Sequence, residues 1–320
     1  MQTLRRSSLV NMLGLVIALI VLIAVFGALM PGKFATAANL EQTLRQSAAV
    51  CLGAIGMTFI IVSGGIDLSV GSSAALVTVV IAWLSVRGYD PALAALGGIV
   101  AGGLVGLING SLITKLKVGP FIVTLGALSL IRGLAKGIGH EQKIDAPVTW
   151  LNSLLTKLSP EKAWMVAAPG VWFVLFAAII ATVLLQRTVF GRHVFAIGGN
   201  EQAARYAGLN VAKTKVWVYT LGGIFTGLAG LMLFSRLTVG DPTVAIGLEL
   251  DVIAAVVIGG ASLSGGQGSI WGSLLGALIM AVIRAGCSQY GLPQWVQEMV
   301  TGAIIVLAVA LDRLRVKQAS

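Results

Sequence analysis

Few charges interrupt this chain. Asp, Glu, Lys and Arg make up 11% of its 320 residues, where a soluble domain carries roughly 25%. A soluble enzyme or a nucleic-acid-binding module needs a charged, hydrated exterior, and there is too little charge here to build one. Histidine occurs only at His140 and His193, far apart, which offers no proton relay and no metal site. Cys51 and Cys287 lie in apolar stretches without a spacing motif. They make neither a disulfide scaffold nor a ligand pair and read as small buried hydrophobes. No nucleophile–base pair gathers anywhere, which argues against a membrane enzyme.

Apolar residues are abundant instead, at 57% of the chain with a mean hydropathy of +0.95. They come in continuous runs of about 20 residues, enough to cross a hydrocarbon layer of roughly 30 Å. Only helices or closed barrels satisfy every backbone group in lipid, and continuous rather than alternating runs select helices. The expected fold is all-α: one polytopic transmembrane domain over residues 1–320 with about ten helices. The spans fall near 8–30, 46–64, 68–86, 91–114, 118–138, 164–186, 215–235, 250–263, 268–287 and 294–311. The first is too long, and too poor in a small-residue cleavage site, for a removed signal peptide. The eighth is short. It tilts, extends upstream, or enters and leaves without crossing.

Lysine and arginine set the orientation. With the N-terminus inside, Arg5, Arg6, Lys115, Lys117, Arg187, Arg192, Arg205, Lys213, Lys215, Arg313, Arg315 and Lys317 face the cytoplasm, against Asp67, Glu201 and Asp312. The other side carries equal numbers of bases and acids. The net charge of +10 is therefore a topology signal, and both termini are expected inside.

Three fragments imitate a nucleotide-binding motor. Leu263-Ser264-Gly265-Gly266-Gln267 spells LSGGQ, which resembles the signature of ABC-transporter ATPases. "GALMPGKF", Gly27 to Phe34, nearly fits a phosphate-cradling loop, yet it ends in Phe34 where a magnesium-binding hydroxyl belongs, and Pro31 lacks an N–H. "VLAVALD", Val306 to Asp312, is followed by Arg313 where a catalytic glutamate would stand. The LSGGQ string joins two apolar spans and reads as a flexible turn, with Ser264 placed to cap the ninth helix.

Glycine, at 41 residues, is concentrated along particular helix faces. Gly98, Gly102, Gly106 and Gly110 recur every four residues, as do Gly268, Gly272 and Gly276. Gly223 and Gly227 form a pair beside the row of Gly222, Thr226 and Gly230. Such rows let helix backbones approach closely, and small residues also leave room along a transport path.

Three longer phrases carry a family likeness: "GIDLSVGS" (65–72), "GRHVFAIGGNEQAARYAGLNV" (191–211) and "ELDVIAAVVIGGASLSGGQGSIWG" (249–272). In this order and spacing they resemble the membrane-spanning permease subunits of ribose-type monosaccharide ABC importers, a likeness that covers roughly residues 8 to 315. The family's turn S-L-x-G-G-x-G appears as Ser262 to Gly268, so LSGGQ is a chance rendering of it. The resemblance implies a permease that does no chemistry itself and needs no cofactor, ATP being bound by a partner ATPase subunit. It further implies an extracytoplasmic sugar-binding protein and a second permease subunit, identical or paralogous, in a bacterial cytoplasmic membrane. Lipid is the remaining partner, and nucleic acid is not expected. The resemblance places an ATPase-coupling helix at Asn200, Glu201, Gln202, Ala203, Ala204 and Gly208. From the residues alone this is a short helix with Asn200 as N-cap and Gly208 as stop, which also suits an interfacial helix on anionic lipid.

Asp67 and Ser69 follow a Gly-Gly break. A carboxylate at a span boundary either caps the next helix or marks the transport path. Asp251 or Glu249 plays the similar part for the eighth span on the opposite side. That symmetry suggests an inverted repeat of spans two to five and seven to ten. Arg132 with Lys136, and Arg284 with Glu298, lie near outer ends of spans, where they snorkel to headgroups or, for Arg284 and Glu298, pair across a turn. The loop from Gly139 to Lys162 either meets the binding protein or is simply solvated. Trp150, Trp164 and Trp295 are expected at membrane interfaces. The rival reading is an ion-coupled secondary transporter, for which the spans offer few buried charges. The sugar itself is not legible.

Overall fold

A computed structural model describes residues 2–158 and 160–319, with side chains described for 12–158, 161 and 164–310. The side chains of Arg5, Arg6, Asp312, Arg313, Arg315 and Lys317, used above for orientation, and that of Lys162 lie outside the described residues.

Twelve α-helices run through the described residues: α1 (Gln2–Leu29), α2 (Ala37–Val62), α3 (Val70–Val86), α4 (Pro91–Leu116), α5 (Pro120–Ile138), α6 (Pro169–Arg187), α7 (Val189–Gly199), α8 (Glu201–Tyr206), α9 (Val211–Leu237), α10 (Leu248–Ile258), α11 (Ile270–Gln289) and α12 (Gln294–Ala319). Two short strands, β1 (Ile144–Asp145) and β2 (Val239–Gly240), pair antiparallel and are the only departure from an all-helical fold among the described residues. Among the described residues, seven helices are long and apolar enough to cross a membrane: α1, α2, α4, α5, α6, α9 and α11. The expected third, eighth and tenth spans fall on α3, α10 and α12, whose apolar lengths are shorter. The eighth is the extreme case, an 11-residue helix of about 16 Å.

Local chemistry sets the helix ends. Asp90 Oδ1 accepts from Ala92 N at 2.8 Å, and Pro91 opens α4, where its missing N–H costs nothing. Pro120 and Pro169 open α5 and α6 in the same way. α11 is capped by Ser269, whose Oγ accepts from Gly272 N at 3.4 Å. Ser264 does not cap it, because it lies inside the preceding turn, where its amide donates to Ser262 Oγ at 3.3 Å.

α2 and α9 form the centre of the bundle, and their apolar windows are 83% and 67% buried. The packing around them is paired. α4 lies on α9 as α11 lies on α2; α3 touches α9 as α10 touches α2; α3 neighbours α4 and α5 as α10 neighbours α11 and α12. Glycine makes the tightest of these seams. A Cβ at Gly102 would stand 2.6 Å from the Gly223 carbonyl oxygen, and one at Gly227 would stand 2.8 Å from Ile99 Cα. Where small residues face backbone, no side chain fits between the helices.

The imitation phosphate loop is an apolar turn. Phe34 is buried and its ring lies 5.1 Å from that of Phe26. The long loop after α5 is stitched down rather than free. Asn152 Nδ2 donates to Thr238 Oγ1 at 2.6 Å, and Lys143 pairs with Asp241 at 3.3 Å. Trp150, Trp164 and Trp295 are exposed.

Candidate functional site

The LSGGQ string folds as a turn that docks on backbone. Gly265 and Gly266 have φ of +88° and +75°, a region open to glycine at no steric cost. Gly265 N donates to Ser262 O at 2.9 Å, and Gly266 N donates to Val62 O, at the end of α2, at 2.9 Å. A Cβ at Gly265 would meet the Gly198 carbonyl at 2.7 Å and Gly64 N at 3.0 Å. The break between α2 and α3, the turn between α10 and α11, and the end of α7 therefore meet at one point.

From that point the chain runs through Asn200 into α8. Asn200 Oδ1 accepts from Ala203 N at 2.9 Å, and Gly208 closes the element with φ of +84°. Ala204 is buried with Ile197 and Val211 in a small apolar cluster that seats α8 on its neighbours. Glu201 latches it: its carboxylate takes Arg205 Nη2 at 3.0 Å and Lys215 Nζ, on α9, at 2.6 Å. The hydrogen bond from Lys215, reinforced by its charge and by Arg205, outweighs partial burial and holds the Glu201 carboxyl below its ordinary range. Gln202 and Ala203 face outward, and so does Tyr206, which is 89% exposed. The result is a short helix, fixed on one side and bare on the other, with an aromatic ring at its tip.

Asp67 and Ser69 lie on the same side of the bundle but inside it. Asp67 Oδ1 accepts from Ser69 N at 2.8 Å and Ser69 Oγ at 2.6 Å. Asn109 Nδ2, from α4, donates to Ser69 Oγ at 2.9 Å, and Tyr219 Oη, from α9, donates to Ile66 O at 3.1 Å. Both residues are buried. Asp67 therefore organises the turn entering α3 rather than capping the helix, whose N-cap Ser69 makes no side-chain cap bond, while Ser69 and Ile66 tie that turn to α4 and α9.

Asp251 is at the opposite end. It is buried on α10 and forms an ion pair with Arg284 of α11. The pairing of Arg284 with Glu298, one of the two alternatives for these residues, does not occur. Glu298 instead accepts from Gln294 at 3.2 Å along its own helix, and Asp251 lies nearer to the guanidinium. Arg132 does not snorkel. Its Nη1 donates to the carbonyls of Pro242 and Val244, each at 2.8 Å, and so clamps the segment before α10 against α5. Among the described residues no group of His, Cys, Asp and Glu is arranged to hold a metal ion.

The sequence reading missed Tyr206, Lys215 and the Asp251–Arg284 pair. Tyr206 stood inside the quoted phrase and could have been singled out as an aromatic on a polar helix. Lys215 lies fourteen positions from Glu201, and Arg284 thirty-three from Asp251, separations that no helical period connects.

Comparison with known proteins gives consistent results. A family model described as branched-chain amino acid transport system / permease component matches residues 39–309. The chain is 41% identical over 303 residues to the ribose import permease protein RbsC of Bacillus subtilis (strain 168), covering 94% of this chain and 92% of that protein. It is 36% identical to the L-arabinose ABC transporter permease protein AraH of Azospirillum brasilense, covering 97% and 90%. It is 35% identical to the fructose import permease protein FrcC of Rhizobium meliloti, covering 93% and 84%. No solved structure matches it significantly.

Proposed function

The chain belongs to the branched-chain amino acid transport system / permease component family, and from that premise we propose that it is one membrane-spanning half of an ATP-driven importer of a small monosaccharide. The carrying observation is the end-to-end match to permeases named for ribose, arabinose and fructose. The permease moves solute without covalent chemistry. An ATPase subunit holds the ATP, and an extracytoplasmic binding protein delivers the sugar.

In this reading the α8 side faces the cytoplasm of a bacterial inner membrane, and the chain is a single domain of ten crossings with both termini inside. α3, α10 and α12 complete the crossings as partners inside a bundle, where a short helix need not span lipid alone. The matched neighbours of α2–α5 and α9–α12 support an inverted repeat. α8 is the coupling element: Asn200 and Gly208 define its ends, Glu201 and Ala204 fix it, and Gln202, Ala203 and Tyr206 are free to enter an ATPase cleft. Asp67 and Ser69 order the turn into α3 beside the path, and Asp251 faces the path from the outer side. A second permease, identical or paralogous, encloses the other half.

The test is purification from the native membrane in mild detergent with mass spectrometry of bound chains, followed by uptake in vesicles. An ATPase with a true phosphate-binding loop is expected to copurify and to be lost when residues 201–208 are scrambled. A homo-oligomer that transports solute without ATP would overturn the proposal in favour of an ion-coupled carrier.

A further inference from the structure

On the side of the bundle away from α8, three cavities of about 300, 660 and 480 Å³ share Arg284 in their walls. They lie among α2, α9, α10, α11 and α12, and their sizes fall in the range that admits a small solute. Resting on the importer reading above, we propose that this chamber is a low-affinity sugar station within the permease, with the Asp251–Arg284 pair and Gln46 as its hydroxyl-binding groups.

Asp251 is anchored, with a side chain 4% exposed, whereas Arg284 is 53% exposed and spends one N–H direction on the carboxylate. Arg284 lines all three cavities. A pair made only for stability gains little from leaving one partner open to a cavity. Gln46 shares the first cavity with both members of the pair, and Gln297 lines the other two. An amide offers donor and acceptor together, and so does a guanidinium–carboxylate pair. A sugar hydroxyl needs both. The lining charges are mixed, Arg236 and Arg284 against Glu249, Asp251 and Glu298, so the wall selects for no strong net charge on the solute. A neutral polyol matches that wall, and it can leave again because it forms no ion pair there.

The test uses the permease–ATPase complex in lipid nanodiscs without binding protein. Saturation-transfer NMR is recorded with D-ribose, L-arabinose and D-fructose at millimolar concentration, and with D-ribonate as a charged analogue. Neutral sugars are expected to give signals that fall about fivefold in Gln46→Met and Arg284→Gln, the worth of one net hydrogen bond, with D-ribonate weaker than the sugars. Should either variant fail to fold, Gln46→Cys in the same nanodiscs is reacted with a small thiosulfonate, and sugar is expected to slow the reaction several-fold. Unchanged signals in the variants, or no protection by sugar, while the complete system still takes up sugar with ATP and binding protein, would overturn the station and leave the importer standing. Failure of the complete wild-type system to couple ATP to uptake of any of these sugars would overturn both.

Discussion

Replacing Gly106 with alanine tests the glycine seam directly. Gly106 lies in α4 against α9, where an added Cβ would run into the Tyr219 carbonyl and stand 2.9 Å from its carbon and 3.0 Å from Gly223 Cα. Carbon atoms settle at about 3.5–4.0 Å. The neighbours are backbone, which cannot rotate away, so the helices must part or the methyl stays compressed. Overpacking of this kind costs about 1–3 kcal/mol, and contact with several backbone atoms places Gly106 in the upper part of that range. Alanine recovers up to about 1 kcal/mol of helix propensity over glycine, leaving a net loss of about 1–2 kcal/mol. Gly14 of α1 is the control, since nothing lies within 4 Å of its added Cβ. Gly14→Ala is therefore expected to be neutral or slightly stabilising. Thermal unfolding of the two variants in one detergent, read by circular dichroism and by loss of monodispersity, decides the matter. If Gly106→Ala melts at or above the temperature of Gly14→Ala, backbone proximity does not govern this seam and the reasoning fails.

Other perturbations probe the α8 side and the loop before α10. Glu201→Gln breaks both ion pairs of the latch; with Glu201 41% exposed the loss is about 0–1 kcal/mol after screening, so α8 persists while more ATP is consumed per sugar moved. Because the Glu201 carboxyl is held below its ordinary value of 4.5, the latch is complete above that pH and weakens only as pH falls through the depressed folded-state value. The sugar-to-ATP ratio of the wild type should thus be flat around neutral pH, and any Glu201-dependent step near neutrality would contradict the assignment. Tyr206→Ala is expected to weaken ATPase docking about tenfold, as for a central aromatic at an interface, with Tyr206→Phe close to wild type in a titration binding assay. Arg132→Met removes two hydrogen bonds to the segment before α10, so exchange of the Thr243 to Ala245 amides should quicken by about tenfold, and unchanged exchange would show that the clamp holds nothing.

The sequence announced most of the helices because lipid leaves few alternatives. Continuous apolar runs located α4 and α5 to within a few residues, since Pro91 and Pro120 mark their starts chemically. α2 begins at Ala37, well before the expected position 46, because its first turns carry Asn39, Glu41, Gln42 and Arg45, polar residues that hydropathy discards. Asn39 and Gln42 line a cavity at that end of α2, and Glu41 pairs with Arg45 along the helix. α8 was legible from Asn200 and Gly208, both local signals. The latch to Lys215, the Arg132 clamp and the Asp251–Arg284 pair were not, because each joins helices whose separation in sequence carries no information about their contact. Ser264 was misread for a related reason. Its turn is tightened by a hydrogen bond from Gly266 to α2, which shifts the start of α11 to Ser269.

The convergence of three glycine-containing segments implies how motion at α8 would travel. α7 ends at Gly198 and Gly199, and an added Cβ at Gly198 would press on the end of α2 and stand 2.6 Å from Gly266 N. Backbone rests on backbone there, so no flexible side chain can absorb a displacement. On the proposed coupling role, a push on α8 would pass along the short α7 and reach the α2–α3 break and the α10–α11 turn together, and these lead into both halves of the bundle. Gly198→Ala should accordingly separate binding from work. If α8 is the docking element proposed above, the ATPase is expected to bind with wild-type affinity, while sugar uptake per ATP falls because a methyl wedges the junction. Tyr206→Ala should do the reverse, with weaker assembly but a normal ratio for the complexes that form. If Gly198→Ala instead lowers assembly and uptake in parallel, the junction is only part of the docking surface, and force must leave α8 by way of Lys215 and α9.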